Sequence, residues 1–394
     1  MANEDRFREI ASILAATEVA GGPGAESLAL AESSVPPQRS DDVLDRAAER
    51  LAVLSAQEDP SPAKAAEREA ARDLLLAHAG AGLAKLSQGR FDLTPDEGCA
   101  MESIIIADGS RPSFILRDGK VDSADPFIGD WGGALAASAD AIAGLASAVG
   151  RIQPGGGHAS SYLGTGSLID ATKGLVLTNF HVIDDAENSR GIKMRHETDR
   201  IVVEGQLEID FAGESGSLAT NRFRIVEIRL PTGFGRVFGG IDAAVCRIEP
   251  LDPGAKLPEP VKALSPDADY ATGASTSLSL IGFPGPPFED KGDKVNWLFV
   301  NEQLFGKKYG IKRLAPGRFT RRLGSHPFDA AAQRAIGHNA TTFGGASGSL
   351  VVAWLDTDAP AFALHFGGET VEANYALSFA VVRDALAEIG VPFA

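Results

Sequence analysis

Leu175-Val176-Leu177-Thr178-Asn179-Phe180-His181-Val182 is an apolar run that ends on a histidine, and the rest of the fold reads outward from it. Gly164-Thr165-Gly166-Ser167-Leu168-Ile169 precedes it, with a turn at Thr172-Lys173-Gly174, so the spacing predicts a β-hairpin that delivers one imidazole. Two later stretches share this character. Ile241-Asp242-Ala243-Ala244-Val245-Cys246-Arg247-Ile248 places an acid at the mouth of a buried strand. Thr341-Thr342-Phe343-Gly344-Gly345-Ala346-Ser347-Gly348-Ser349-Leu350-Val351-Val352 sets Ser347 among glycines ahead of another apolar run. From Gly150-Arg151-Ile152 to about Phe366, short β-branched runs alternate with Gly, Pro and Asp turns, which predicts a sandwich or barrels. The segment from Val381 to Ile389 predicts one closing helix.

A serine hydroxyl is a weak nucleophile until a base takes its proton, so Ser347 needs an imidazole within hydrogen-bond reach. His181 supplies it on this reading. The imidazole in turn needs a buried carboxylate to fix its tautomer and stabilise the imidazolium, the role read for Asp242. Asp184, Asp185 and Asp210 also lie between His181 and Ser347. The first two fall in the loop after the histidine, and Asp210 lacks a following apolar run. Glycines around Ser347 let the backbone bend so that the amides of Gly345 and Ser347 face a developing oxyanion. Each such donor contributes about 3–4 kcal/mol to a transition state.

The order Thr-Asn-Phe-His-Val, Asp-Ala-Ala-Val, Gly-Ala-Ser-Gly-Ser resembles the trypsin-like serine peptidases. The resemblance spans residues 150 to 390 or so and is nearest to the bacterial branch that holds glutamyl endopeptidases and periplasmic stress proteases. Ile281-Gly282-Phe283-Pro284-Gly285 and Leu364-His365-Phe366-Gly367-Gly368 are similar to further strands of that branch. It implies a chymotrypsin-like, all-β fold of two six-stranded antiparallel barrels, with His181, Asp242 and Ser347 in the cleft between them. It also implies a serine endopeptidase that works through an acyl-enzyme. Residues 151–394 are then the protease domain. Ahead of it the reading places a flexible segment over 1–39, a helical hairpin over 40–90 and an extension over 91–150. Ala346 departs from the family pattern, because trypsin-type zymogens keep there an aspartate that pairs with a newly cut N-terminus. Control of the cleft is therefore expected from the preceding 150 residues.

Glutamyl endopeptidases bind an acidic side chain through a threonine five residues before the nucleophile and a histidine in the later His-x-Gly-Gly strand. Thr342 and His365 occupy those places, with Gly367 beside them as a further substrate-binding position. The resemblance thus implies an acidic preference, with a small or apolar one left open. A histidine donates to a carboxylate, and protonation strengthens that contact. Lys307, Lys308, Lys312, Arg313, Arg318, Arg321 and Arg322 read either as a basic funnel for acidic substrates or as a solvated loop. His338 reads either as a structural histidine or as one lining the cleft.

Composition bounds the rest. Of the net charge of −16, residues 1–150 carry −12, from 13 Lys+Arg against 25 Asp+Glu. So acidic a chain argues against nucleic acid and against an anionic membrane as partner. Two cysteines, Cys99 and Cys246, fit a reducing cytoplasm better than a disulfide-stapled secreted protein. No signal peptide or apolar span is visible. His158, His196, His326 and His338 lack partners at ligand spacing, so no metal and no cofactor is expected. The expected partners are a protein or peptide substrate and a regulatory partner at the N-terminal helices. The reading of a different class is a catalytically silent peptide-binding scaffold on the same fold.

Overall fold

The computed structural model describes every residue except 1–39, 57–61, 89, 91, 95, 98–99, 101–103, 105–110, 126, 157–160, 237–238, 274–276, 286–307, 326–328, 330–331, 343, 370–372 and 394. The expected flexible segment 1–39 therefore lies outside the described residues. Two helices come first, α1 (Ser40–Ala56) and α2 (Pro62–Ser87). Ala47 and Leu51 of α1 and Leu75, Ala79 and Leu83 of α2 are buried, at helical spacing on each element. Gly80 and Gly82 do not end α2. Leu44 of α1 lies 3.6 Å from where a Cβ on Gly80 would stand, so the small residue lets the two helices approach.

In the extension, Ile104-Ile105-Ile106, Asp108-Gly109 and Phe114-Ile115-Leu116 predict a β-hairpin from sequence. Ile104 is helical, and Ile105 and Ile106 lie outside the described residues, so no strand is seen at the first half of that hairpin. Instead Asp118-Gly119 turns the chain between β1 (Phe114–Arg117) and β2 (Lys120–Val121), with Gly119 at φ +71°. Short helices α3 (Gly132–Ala137) and α4 (Ala139–Ala148) follow, and α4 runs directly into the first barrel strand.

That barrel contains β3 (Val149–Pro154), β4 (Gly164–Asp170) and β5 (Leu175–Thr178). Helix α5 (Phe180–Asn188) and the strands β6 (Met194–His196) and β7 (Ile201–Val203) come next in the chain. The barrel is completed by β8 (Leu207–Asp210), β9 (Arg222–Arg229) and β10 (Ala244–Pro250). The order β10-β5-β4-β3-β8-β9 closes on itself through β10–β9, and β7 and β6 hang from β9. Strand β9 shows why these residues choose strand: Phe223 and Ile225 point into the core while Arg224 faces out and pairs across to Glu249.

A short helix α6 (Ala268–Thr272), capped by Asp267, leads to the second barrel. Its strands are β11 (Ser277–Gly282), β12 (Arg313–Arg321), β13 (Ala335–His338), β14 (Leu350–Val352), β15 (Ala361–Glu369) and β16 (Ala373–Ser378). The order β11-β14-β15-β16-β13-β12 closes through β11–β12. The two closed, six-stranded, wholly antiparallel barrels are a chymotrypsin-like double barrel. The extension is woven into it, because β1 pairs with β12, Phe114 opposite Leu314. Helix α7 (Phe379–Glu388) closes the chain. Among the described residues no helix is long and apolar enough to cross a membrane.

Candidate active site

Strands β5 and β10 pair with Thr178 opposite Ala244. The residues just after β5 and just before β10 therefore leave the barrel at the same end, which brings together side chains 61 positions apart. His181 stands in the first turn of α5. Its Nδ1 lies 2.7 Å from Asp242 Oδ2, and its backbone N–H donates to Asp242 Oδ1 at 2.9 Å. Asn179 Nδ2 fixes the backbone of the same acid by donating to the Asp242 carbonyl at 2.8 Å. With a carboxylate at Nδ1, that nitrogen carries the proton and Nε2 is left as a proton acceptor. Asp242 is 2% exposed, so this contact is shielded from water.

The other three acids are engaged elsewhere. Asp184 and Asp185 lie in α5, not in a loop as read from sequence, and both bind Arg236. Asp210 accepts from the amides of Ala212 and Asn221 at the end of β8.

Ser347 sits where the barrels meet. Its carbonyl accepts from Thr165 N of the first barrel at 2.8 Å, and Gly348 N donates to His365 O of the second at 2.9 Å. Gly348 has φ +91°, and a side chain there would collide with the Thr165 carbonyl. Ser347 Oγ is 3.4 Å from Phe366 O, and among the described residues it makes no hydrogen bond to His181. The amides of Gly345 and Ser347 donate to no acceptor among the described residues, so two free N–H groups stand beside the hydroxyl.

A probable serine protease of Lysobacter enzymogenes is 54% identical over 391 residues, covering 99% of this chain and 100% of that one. The chain belongs to this serine protease family. No family model matches it. Among solved structures, the Rv3671c protease of M. tuberculosis H37Rv in an inactive form is similar over 64% of this chain and 93% of that one. The TM-score is 0.36 and the identity 17%. A serine-to-alanine mutant of that protease, also in an inactive form, gives the same values.

In this protease the residues expected to grip substrate fall into two groups. Thr342 Oγ1 donates to Asn374 Oδ1 at 2.7 Å, and Asn374 Nδ2 is committed to Ala340 O at 2.7 Å. Strand register sets both His338 and Gly368 opposite Asn374, with Gly367 beside them and open space where its Cβ would be. His365 is deeper. It is 2% exposed, with Nδ1 3.1 Å from His338 Nε2. Burial, then the nearby His181, push its pKa down to about 3 against a hydrogen bond to the Tyr375 backbone. Burial likewise holds His338 well below the ordinary imidazole value, so the pair is neutral. No hydrogen bond joins Thr342 to His365 among the described residues.

The basic run is not uniformly exposed. Lys307 lies outside the described residues, while Lys312 and Arg313 are buried, 1% and 4% exposed. Lys312 Nζ donates to Ala146 O and Phe211 O, and Arg313 to Ser113 O. Neighbouring side chains here point to opposite faces, and both faces are covered: Lys312 by α4 and the end of the first-barrel strand β8, Arg313 by the chain just before β1. Sequence reading passed over Asn179, Thr165 and Asn374. Their partners lie far off in sequence, and only chain closure puts them in reach.

Proposed function

We propose that this protein is a serine endopeptidase that cleaves peptide bonds through an acyl-enzyme. Ser347 is the nucleophile, His181 the general base and then acid, and Asp242 the carboxylate that orients the imidazole. The observation that carries the reading is the double contact of Asp242 with His181, which leaves Nε2 free to take a proton, together with the Ser347 hydroxyl and the Gly345 and Ser347 amides that donate to no acceptor among the described residues. In the reaction Ser347 Oγ turns from Phe366 O toward His181 and loses its proton to Nε2 as it attacks the scissile carbonyl. The Gly345 and Ser347 amides take the negative oxygen. His181 returns the proton to the departing amine, and water repeats the sequence to release the acyl group.

For specificity we propose an acidic residue on the acyl side of the scissile bond, as in the glutamyl endopeptidases. Supporting this is the placement of Thr342 against Asn374 of β16, with His338 and His365 on the two strands that pair with β16 on either side. The long bond from Ser347 Oγ to Phe366 O favours the second reading, a silent peptide-binding scaffold.

Labelling of the full chain with a fluorophosphonate, in wild type, Ser347→Ala and His181→Ala, separates the two. An endopeptidase labels only with both residues present. A folded wild-type chain that stays unlabelled is the scaffold. Tetrapeptide reporters ending in Glu, Ala, Leu and Lys then test the preference.

A further inference from the structure

The Gly344–Gly345 peptide carries one of the two free amides, and its direction is set from outside the serine loop. Gly344 O accepts from Gly285 N at 2.6 Å. A trans peptide is planar, so pinning its carbonyl points the Gly345 N–H the opposite way. Gly345 itself has φ +96°, with the Tyr162 ring and the Phe283 carbonyl where a side chain would be. Thr165 Oγ1 pins the next carbonyl, Gly345 O, at 2.8 Å.

Gly285 belongs to a strap, Phe283-Pro284-Gly285, held by two buried cations. Pro284 O accepts from Gly310 N at 2.9 Å, and Gly310 O accepts from Arg151 Nη1 at 2.5 Å. The Phe283 ring meets both cations, the Arg151 guanidinium 5.8 Å and Lys312 Nζ 5.9 Å from its centroid. Lys312 reaches Phe211 O at 2.8 Å and Ala146 O at 2.6 Å, the latter in the last turn of α4, where carbonyls lack helical partners. Both cations are buried and neither makes a salt bridge among the described residues; Asp210 acts on both, and Glu214 on Lys312, from beyond salt-bridge distance. Their direct polar contacts are with carbonyl and amide groups, and those contacts lead to the strap.

We infer that Arg151 is a positioning residue. Together with Lys312 and α4 it fixes the 283–285 strap, and through Gly285 it aims the Gly345 amide in a chain whose Ala346 offers no carboxylate for that task. The inference rests on the protease reading and goes beyond it, because it ties the oxyanion amide to the extension before the barrels.

The test uses the full-length protein. The second-order rate of Ser347 labelling by a fluorophosphonate, whose phosphoryl oxygen must enter the oxyanion site, is compared in wild type, Arg151→Met, Arg151→Lys and Lys312→Met. Alongside it are measured the melting temperature and the low-field proton signal of the His181–Asp242 contact. The expected result is labelling about ten- to a hundredfold slower in Arg151→Met with the low-field signal retained, and partial recovery in Arg151→Lys. The Arg151→Met and Lys312→Met effects should combine sub-additively, as for two residues acting on one strap. Wild-type labelling rates in Arg151→Met overturn the inference. So does slowing that comes only with loss of the low-field signal, which marks a general structural role. If Arg151→Met does not fold, Arg151→Lys decides on the same readings. An unlabelled wild type sinks the protease reading first and this inference with it.

Discussion

Asp242 holds His181 at two points, carboxylate to Nδ1 at 2.7 Å and carboxylate to backbone N–H at 2.9 Å. One oxygen fixes where the residue is, the other which nitrogen carries the proton. Asp242→Asn preserves the shape but presents an amide that donates, so Nδ1 becomes the acceptor and Nε2 carries the proton. Turnover of a peptide reporter should fall by about 10³- to 10⁴-fold with the melting temperature little changed. Asp210→Asn, in the first barrel, should leave turnover near wild type. A comparable loss in both would place the base's partner elsewhere.

The His338–His365 pair sets an acid limit. Folded His365 takes a proton only near pH 3, whereas the unfolded chain takes it near 6.5. Between those values the unfolded state holds the extra proton, so stability is lost as pH falls from 6.5 toward 3. The loss reaches about 4–5 kcal/mol for this residue, and His338 adds to it in the same direction. His365→Gln should flatten the fall in melting temperature between pH 7 and pH 4. Parallel curves for variant and wild type would show that the pair is not what titrates.

Lys312 works at the other end of the scale. Burial pushes its pKa down to about 8 from 10.5, so below 8 the fold carries a charged amine in a dry site. Above 8 the folded amine is neutral while the unfolded one stays charged up to 10.5, and stability rises with pH across that window. The span corresponds to roughly 3 kcal/mol. The difference in unfolding free energy between wild type and Lys312→Met should therefore shift in favour of wild type from pH 8 to 10.5. A constant difference would mean that Lys312 keeps an ordinary pKa.

Much of the double barrel is visible in the sequence, because alternation and turn residues are local signals. The apolar run that ends at His181 and the runs that follow Asp242 and Ser347 each carry their own strand context. What failed was where local pattern and tertiary setting diverge. Ile104 has strand-forming neighbours yet is helical. Seven cations between positions 307 and 322 look like a solvated loop, but Lys312 and Arg313 stand at the start of β12, where the extension packs on the barrels, and both are buried. Likewise Asn374 carries no motif. It matters because β13 and β15 both pair with β16 at that position.

Thr342 and Asn374 give the sharpest test of specificity. The Asn374 amide group is spent on Ala340 O, so its Oδ1 must accept, and Thr342 donates its only proton there. A carboxylate needs donors, and Thr342 can serve one only by giving up Asn374. Removing that competitor with Asn374→Ala should raise kcat/KM for a Glu reporter relative to a Leu reporter, by up to about tenfold for one hydrogen bond. Thr342→Val should lower the same ratio by a similar factor. If the Glu-to-Leu ratio is unmoved by both substitutions in active, folded variants, the acidic preference is wrong and this wall selects by shape.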